Sequence, residues 1–340
     1  QINFRSDRPR SWLGRGRARF RWGEATNDVR KMDDADSDLG EVIERAPKSR
    51  EAAEAHYWQA RIAQFRSGKE SEKPKGDKQV LENFLKRAEE GYKTCLELAR
   101  ANQAPSWEEA ALTAWAHLAL AEGERRKEQA TPKADHYVKL AEKLALDLAR
   151  FNVPEAALIQ SRAVVIRTGN LKEAQRICAG GMQQHRTQDK GSLLKLRLND
   201  IHLRLRMEGA DMAMLVKEAR AVAEEVVAAR LDDDTRGFAE GTLGVLLYLS
   251  AAKASGAEKD QLTKEAIAQF RAAVKRAPKH GDGYMWRWLL VAILDAKPSR
   301  TAAETQEARQ RIAEARRMMP ASSPYRKNIQ ELDRRYNDPP

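Results

Sequence analysis

The sequence predicts an all-α protein: antiparallel helix pairs stacked into a solenoid and closed by a C-terminal capping helix. Three observations lead there. The chain is rich in Ala, Glu, Lys, Arg, Leu and Gln, all good helix formers, whereas aromatics make up 6% and runs of Val, Ile and Thr are scarce, which leaves little to build strands from. Twelve prolines and 19 glycines in 340 residues suit long helices joined by short turns. Finally, one spacing recurs: Ala, a large apolar residue four positions on, a small or β-branched residue three further, and Pro five further.

The first element is basic. Residues 1–22 carry seven arginines against one aspartate, +6 of the chain's net +11. In "FRSDRPRSWLGRGRARFRW" the arginines alternate with Phe4, Trp12, Phe20 and Trp22. Arg15, Arg17, Arg19 and Arg21 are candidate contacts, because a guanidinium binds carboxylate or phosphate bidentately and stacks on rings. The segment is expected to be an arm that docks a protein partner or forms a plain solvated tail, with single-stranded nucleic acid as the alternative ligand. Trp22 and Gly23 fit the start of the first helix of the array.

Residues 23–321 hold the repeats. Ala266, Phe270, Ala273 and Pro278 recur 42 residues on as Ala308, Ile312, Ala315 and Pro320, and a third copy reads Ala35, Leu39, Val42 and Pro47. Steps of four and three keep such residues on one helical face. The alanines let a neighbouring helix come close, the large residue fills the groove, and Pro stands just beyond the helix end. Less regular copies are Ala88, Tyr92 and Cys95, with Arg100 where Pro would stand, and the Ala219–Ala223 region. Partner helices are visible in "AEAHYWQARIAQFRSGK", with Ala60 at the close-packing point, in "FAEGTLGVLLYLSAA", with the pair Leu243-Gly244, and in "RTGNLKEAQRIC", where Gly169 and Asn170 make the turn. Residues 67–78, 127–135, 185–192 and 230–237 are rich in Gly, Pro, Lys and Asp and read as loops.

These motifs resemble the tetratricopeptide (TPR) repeat. The resemblance covers most of residues 20–320 and is specific in the three full copies. The 42-residue offset exceeds the roughly 34 residues of the family's regular repeat; the extra length falls between paired helices, as in "KASGAEKDQLTK" and "DAKPSRTAAETQ". The resemblance implies a right-handed superhelix whose first helices line a concave groove that binds partner segments.

One segment stands apart. Between Tyr284 and Leu294 only Arg287 is charged. A helix apolar all round is expected to be covered on every side. The cover is the last segment, residues 322–340. There Ser323 can cap, Pro324 can take the first helical position, and Tyr325, Ile329, Leu332 and Tyr336 form one apolar stripe against a charged face. That is the form of an end cap of a repeat array. The alternative use of this helix is a groove floor, in which Met285, Leu289 and Ile293 anchor a partner.

No residues suggest a reaction. The six histidines stand in no metal-binding pattern, and Cys95 and Cys178 read as small buried residues. "LGRGRARF" lacks the third glycine and preceding strand of a nucleotide loop. Asp232, Asp233 and Asp234 read as a helix N-terminus. No enzyme activity, cofactor, metal or small-molecule substrate is expected. No apolar stretch approaches the roughly 20 residues of a membrane span. The chain begins at Gln1 rather than Met, so the cytoplasm is only slightly favoured and export stays open. The expected function is a protein–protein interaction scaffold, a subunit or fragment of a larger assembly. The alternatives are a nucleic-acid-binding repeat protein and the regulatory region of a larger enzyme.

Overall fold

The computed structural model describes residues 9–73, 76–185, 190–278, 280, 282–297, 299–319 and 325–337. Among them are fifteen α-helices and no strand: α1 (Pro9–Thr26), α2 (Val29–Arg45), α3 (Arg50–Glu72), α4 (Lys78–Ala101), α5 (Pro105–Glu128), α6 (Ala134–Ala149), α7 (Pro154–Thr168), α8 (Leu171–Gln184), α9 (Lys190–Leu205), α10 (Met212–Ala228), α11 (Asp233–Ala251), α12 (Gly256–Arg276), α13 (Gly283–Asp295), α14 (Ala302–Met318) and α15 (Arg326–Asn337). The expected all-α array of helix pairs is what the described residues form. Two compact units divide it, Gln1–Ala121 with Lys139–Phe151, and Glu122–Val138 with Asn152–Pro340.

Short polar residues start the helices. Asp28, Ser49, Asp77, Asn170, Asp211 and Asp232 each cap one, a side-chain oxygen accepting a backbone N–H of the first turn. Thr301 and Glu304 form a reciprocal capping box on α14. Gly169 ends α7 with φ of 70°, a left-handed conformation that glycine adopts without a Cβ penalty. The acidic run at 232–234 thus serves as a cap and first turn.

In the first unit α1 packs on α2 and α3 on α4; in the second, α7 pairs with α8, α9 with α10, α11 with α12 and α13 with α14. The second helix of each pair carries the expected stripe inward. Ala35, Leu39 and Val42 of α2, Ala88, Tyr92 and Cys95 of α4, Ala266, Phe270 and Ala273 of α12, and Ala308, Ile312 and Ala315 of α14 are all fully buried. So are Ala174 and Cys178 of α8 and Leu215, Ala219 and Val222 of α10, which keep the four–three step. Pro320 of the second copy lies outside the described residues.

The apolar helix α13 is core. Trp286, Leu289, Leu290, Val291, Ile293 and Leu294 are buried. α15 packs on α14 and α13 as the cap, with Ile329, Leu332 and Tyr336 inward and Tyr325 stacked on Trp288 at 4.5 Å. Ser323 and Pro324 lie outside the described residues.

The loop expectation at 67–78 is corrected: α3 runs on to Glu72. Ser67 and Ser71 donate their hydroxyls back to the carbonyls of Gln64 and Gly68, so these polar residues stay helical instead of breaking the helix. Likewise much of "KASGAEKDQLTK" is the exposed beginning of α12.

Candidate functional site

Within the first unit, α1, α3 and the start of α5 present one continuous set of polar and aromatic side chains. On α1 the residues are Arg10, Arg17, Phe20, Arg21 and Glu24; on α3 they are Glu51, Glu54, Trp58 and Arg61. Both sets follow a helical stripe. They meet rung by rung. Arg10 Nε donates to Glu51 Oε1 at 2.9 Å, Arg17 Nη1 to Glu54 Oε1 at 3.4 Å, and Arg61 Nη2 to Glu24 Oε1 at 3.2 Å. Between the last two rungs the Phe20 ring, 1% exposed and so beneath the face, touches that of Trp58, 5.3 Å between centroids and 47° apart.

The row of rings continues to α5. Tyr57 lies 5.1 Å from Trp58, edge to face, and 5.5 Å from Trp107; Trp58 and Trp107 are 6.5 Å apart. These are the separations at which aromatic pairs attract. Trp58 Nε1 donates to Glu54 Oε1 at 3.2 Å, which fixes the indole, and the Arg21 guanidinium lies over its ring at 5.9 Å.

Where the first turns of α1, α3 and α5 meet, a cleft of about 400 Å³ opens. Leu13 and Trp107 give it apolar walls; Arg10, Arg50, Glu51, Glu54 and Ser106 make the rest. Its volume is within the range of roughly 300–1,000 Å³ usual for ligand pockets. The hydrogen bond from Arg10 holds the Glu51 carboxyl below its ordinary range. Burial, with the nearby Glu54 carboxylate adding to it, pushes the Cys95 thiol up to about 12, and burial raises Cys178 also, so neither is a ready nucleophile. Burial lowers the pKa of His56 and His202.

The four candidate arginines divide by face. Arg15 grips Asp38 of α2 through two hydrogen bonds of 2.8 and 2.7 Å, and Arg19 adds a third at 2.7 Å. They hold α1 to α2. Arg17 and Arg21, two residues out of step, turn to α3. The glycine pair of "LGRGRARF" has a packing role: a Cβ on Gly16 would come within 2.9 Å of Leu39, whereas Gly14 faces open space. Phe4 and the rest of residues 1–8 lie outside the described residues. In the second unit Leu289 and Ile293 are 5% and 6% exposed and Met285 is half-buried against the same core. The ring row was missed from sequence. Its signal is that five of the seven tryptophans, Trp12, Trp22, Trp58, Trp107 and Trp115, precede residue 116.

No helix among the described residues is long and apolar enough to cross a membrane. No family model matches the chain, and no curated protein matches it. Among solved structures, human IFIT1 as a dimer with PPP-AAAA is similar at 12% identity and a TM-score of 0.49, over 98% of this chain and 72% of that one. The human IFIT1 dimer with m7Gppp-AAAA is similar at 12% identity and a TM-score of 0.47, over 91% of this chain and 68% of that one.

Proposed function

We propose that this protein is a non-catalytic helical-repeat scaffold that binds a segment of a protein partner along the α1–α3–α5 face. The observation that carries this is the row of half-buried rings Trp58–Tyr57–Trp107, backed by the buried Phe20, beside a half-polar cleft. Aromatic rings give large contact area at small entropic cost, and paired charges beside them give register. The same face argues against a nucleic-acid ligand. Arg10 is engaged by Glu51, Arg17 by Glu54 and Arg61 by Glu24, which leaves too few guanidiniums for a run of phosphates.

Selection from a randomised 16-residue peptide display library, on the full chain and on Trp107→Ala, tests the reading. Sequences enriched on the native protein and lost on the variant are expected. Circular dichroism of the variant checks that it folds. If every enriched sequence binds both proteins equally, the proposed face is not the binding face.

A further inference from the structure

We infer that the segment bound on this face is acidic, with an apolar side chain between two carboxylates spaced about five residues apart. This rests on the scaffold reading above and adds the chemistry of the partner. Around the cleft and ring row stand five guanidiniums, of Arg10, Arg17, Arg21, Arg50 and Arg61, against three carboxylates, of Glu24, Glu51 and Glu54. Each carboxylate already has an arginine: Glu51 has Arg10, Glu54 has Arg17, and Glu24 has Arg61.

Arg21 and Arg50 remain. Neither makes an ion pair among the described residues, and both are exposed. Arg21 lies over the Trp58 indole, and Arg50 stands on the cleft's edge, where its charge reaches Glu51. The face thus carries a surplus of two positive charges at two separate places, Arg21 over the Trp58 ring and Arg50 on the cleft that Trp107 also lines.

The spacing follows from helix geometry. The cleft lies at the Arg10 end of α1 and the second free guanidinium at Arg21. Eleven residues of helix rise about 16 Å, which an extended strand covers in about five residues. A carboxylate near Arg50, an apolar side chain against Trp107 and Leu13, and a second carboxylate at Arg21 satisfy the face without breaking any of its three internal ion pairs.

The test uses four labelled probes and fluorescence anisotropy on the full chain. They are a 12-residue peptide with two glutamates five apart flanking a phenylalanine, its glutamine isostere, its lysine counterpart, and a 12-nucleotide single-stranded RNA. The glutamate peptide is expected to bind about tenfold tighter than the glutamine isostere at low salt, with the advantage shrinking as salt rises. Arg21→Gln/Arg50→Gln should abolish that advantage while leaving the thermal unfolding curve in place, because neither arginine holds the fold by an ion pair. If the glutamine isostere binds equally well and loses binding in Trp107→Ala, the scaffold reading stands and the acidic specificity is wrong. If no peptide binds, both are wrong. RNA binding tighter than the glutamate peptide, with the same dependence on Arg21 and Arg50, would make the partner a nucleic acid and overturn the inference.

Discussion

Arg287 Nε donates to Glu314 Oε2 at 2.8 Å, and the same guanidinium reaches the carbonyl oxygens of Gly283 and Pro278, each at 3.0 Å. The one charge between Tyr284 and Leu294 of α13 is therefore 3% exposed and fully engaged. Breaking a buried pair from one side strands the other charge, at about 3–5 kcal/mol, whereas replacing the arginine by an apolar residue of similar length removes that charge. Glu314→Ala is thus expected to destabilise the chain more than Arg287→Met. Urea unfolding followed by tryptophan fluorescence reads the order; the reverse order would mean that the carbonyl contacts dominate.

Acid should loosen the same contact. Burial tends to raise the Glu314 carboxyl, but hydrogen bonds from Arg287, Gln310 and Arg311 outweigh it and hold the group at about 2, against an ordinary 4.5. A carboxyl depressed in the folded state contributes stability above its unfolded value, and that stability is lost as pH falls through the folded one. The Arg287–Glu314 contribution should be complete above pH 4.5 and fade towards pH 2. Melting temperatures of wild type and Glu314→Gln should converge over this window; parallel curves would refute the assignment.

Two helical glycines should respond with opposite sign. A Cβ on Gly244 of α11 would stand 2.8 Å from Phe270 Cε1, within the fully buried stripe of α12. Gly40 of α2 faces open space. Gly244→Ala is expected to cost about 1–3 kcal/mol through overpacking, and Gly40→Ala to stabilise by about 0.5–1 kcal/mol through helix propensity. Thermal unfolding of the two variants decides it.

Asp38, 3% exposed, is the anchor of α1. Asp38→Ala should cost about 1–3 kcal/mol, tempered because Arg15 and Arg19 are 44% and 34% exposed and can turn to water. Limited trypsin digestion is the readout. Cleavage at the arginines of α1 should speed up several-fold, and an unchanged rate would show that Leu13 and Phe20 alone hold the helix.

Deletion of residues 322–340 should uncover the apolar surface beneath Ile329, Leu332 and Tyr336. An array without its cap exposes a contiguous apolar end. Light scattering after size exclusion is expected to show concentration-dependent association in the truncated chain and a single species in the full one.

The stripe positions were legible because they are local. Ala266, Phe270 and Ala273 lie within eight residues of one helix, and a 3.6-residue period assigns their face before any partner is known. The cap was legible for the same reason. The ring row was not, since Phe20, Trp58 and Trp107 come from three helices and meet only once α1 and α3 lie side by side. Nor does composition distinguish Arg15 and Arg19, bound to Asp38, from Arg17 and Arg21. That division depends on which side of α1 meets α2. The polar stretch after Ser67 misled because serine and glycine suggest a turn, whereas here the serine hydroxyls bond back along the helix.

The beginning of α12 carries a wider consequence. Residues 256–261 are exposed, and the first buried alanine of the stripe comes only at Ala266. Nearly two turns overhang before the interior begins. Length is therefore a free parameter at that end and phase is not. Whole turns can be gained or lost there, bringing new surface chemistry with them, while every contact of the interior keeps its place.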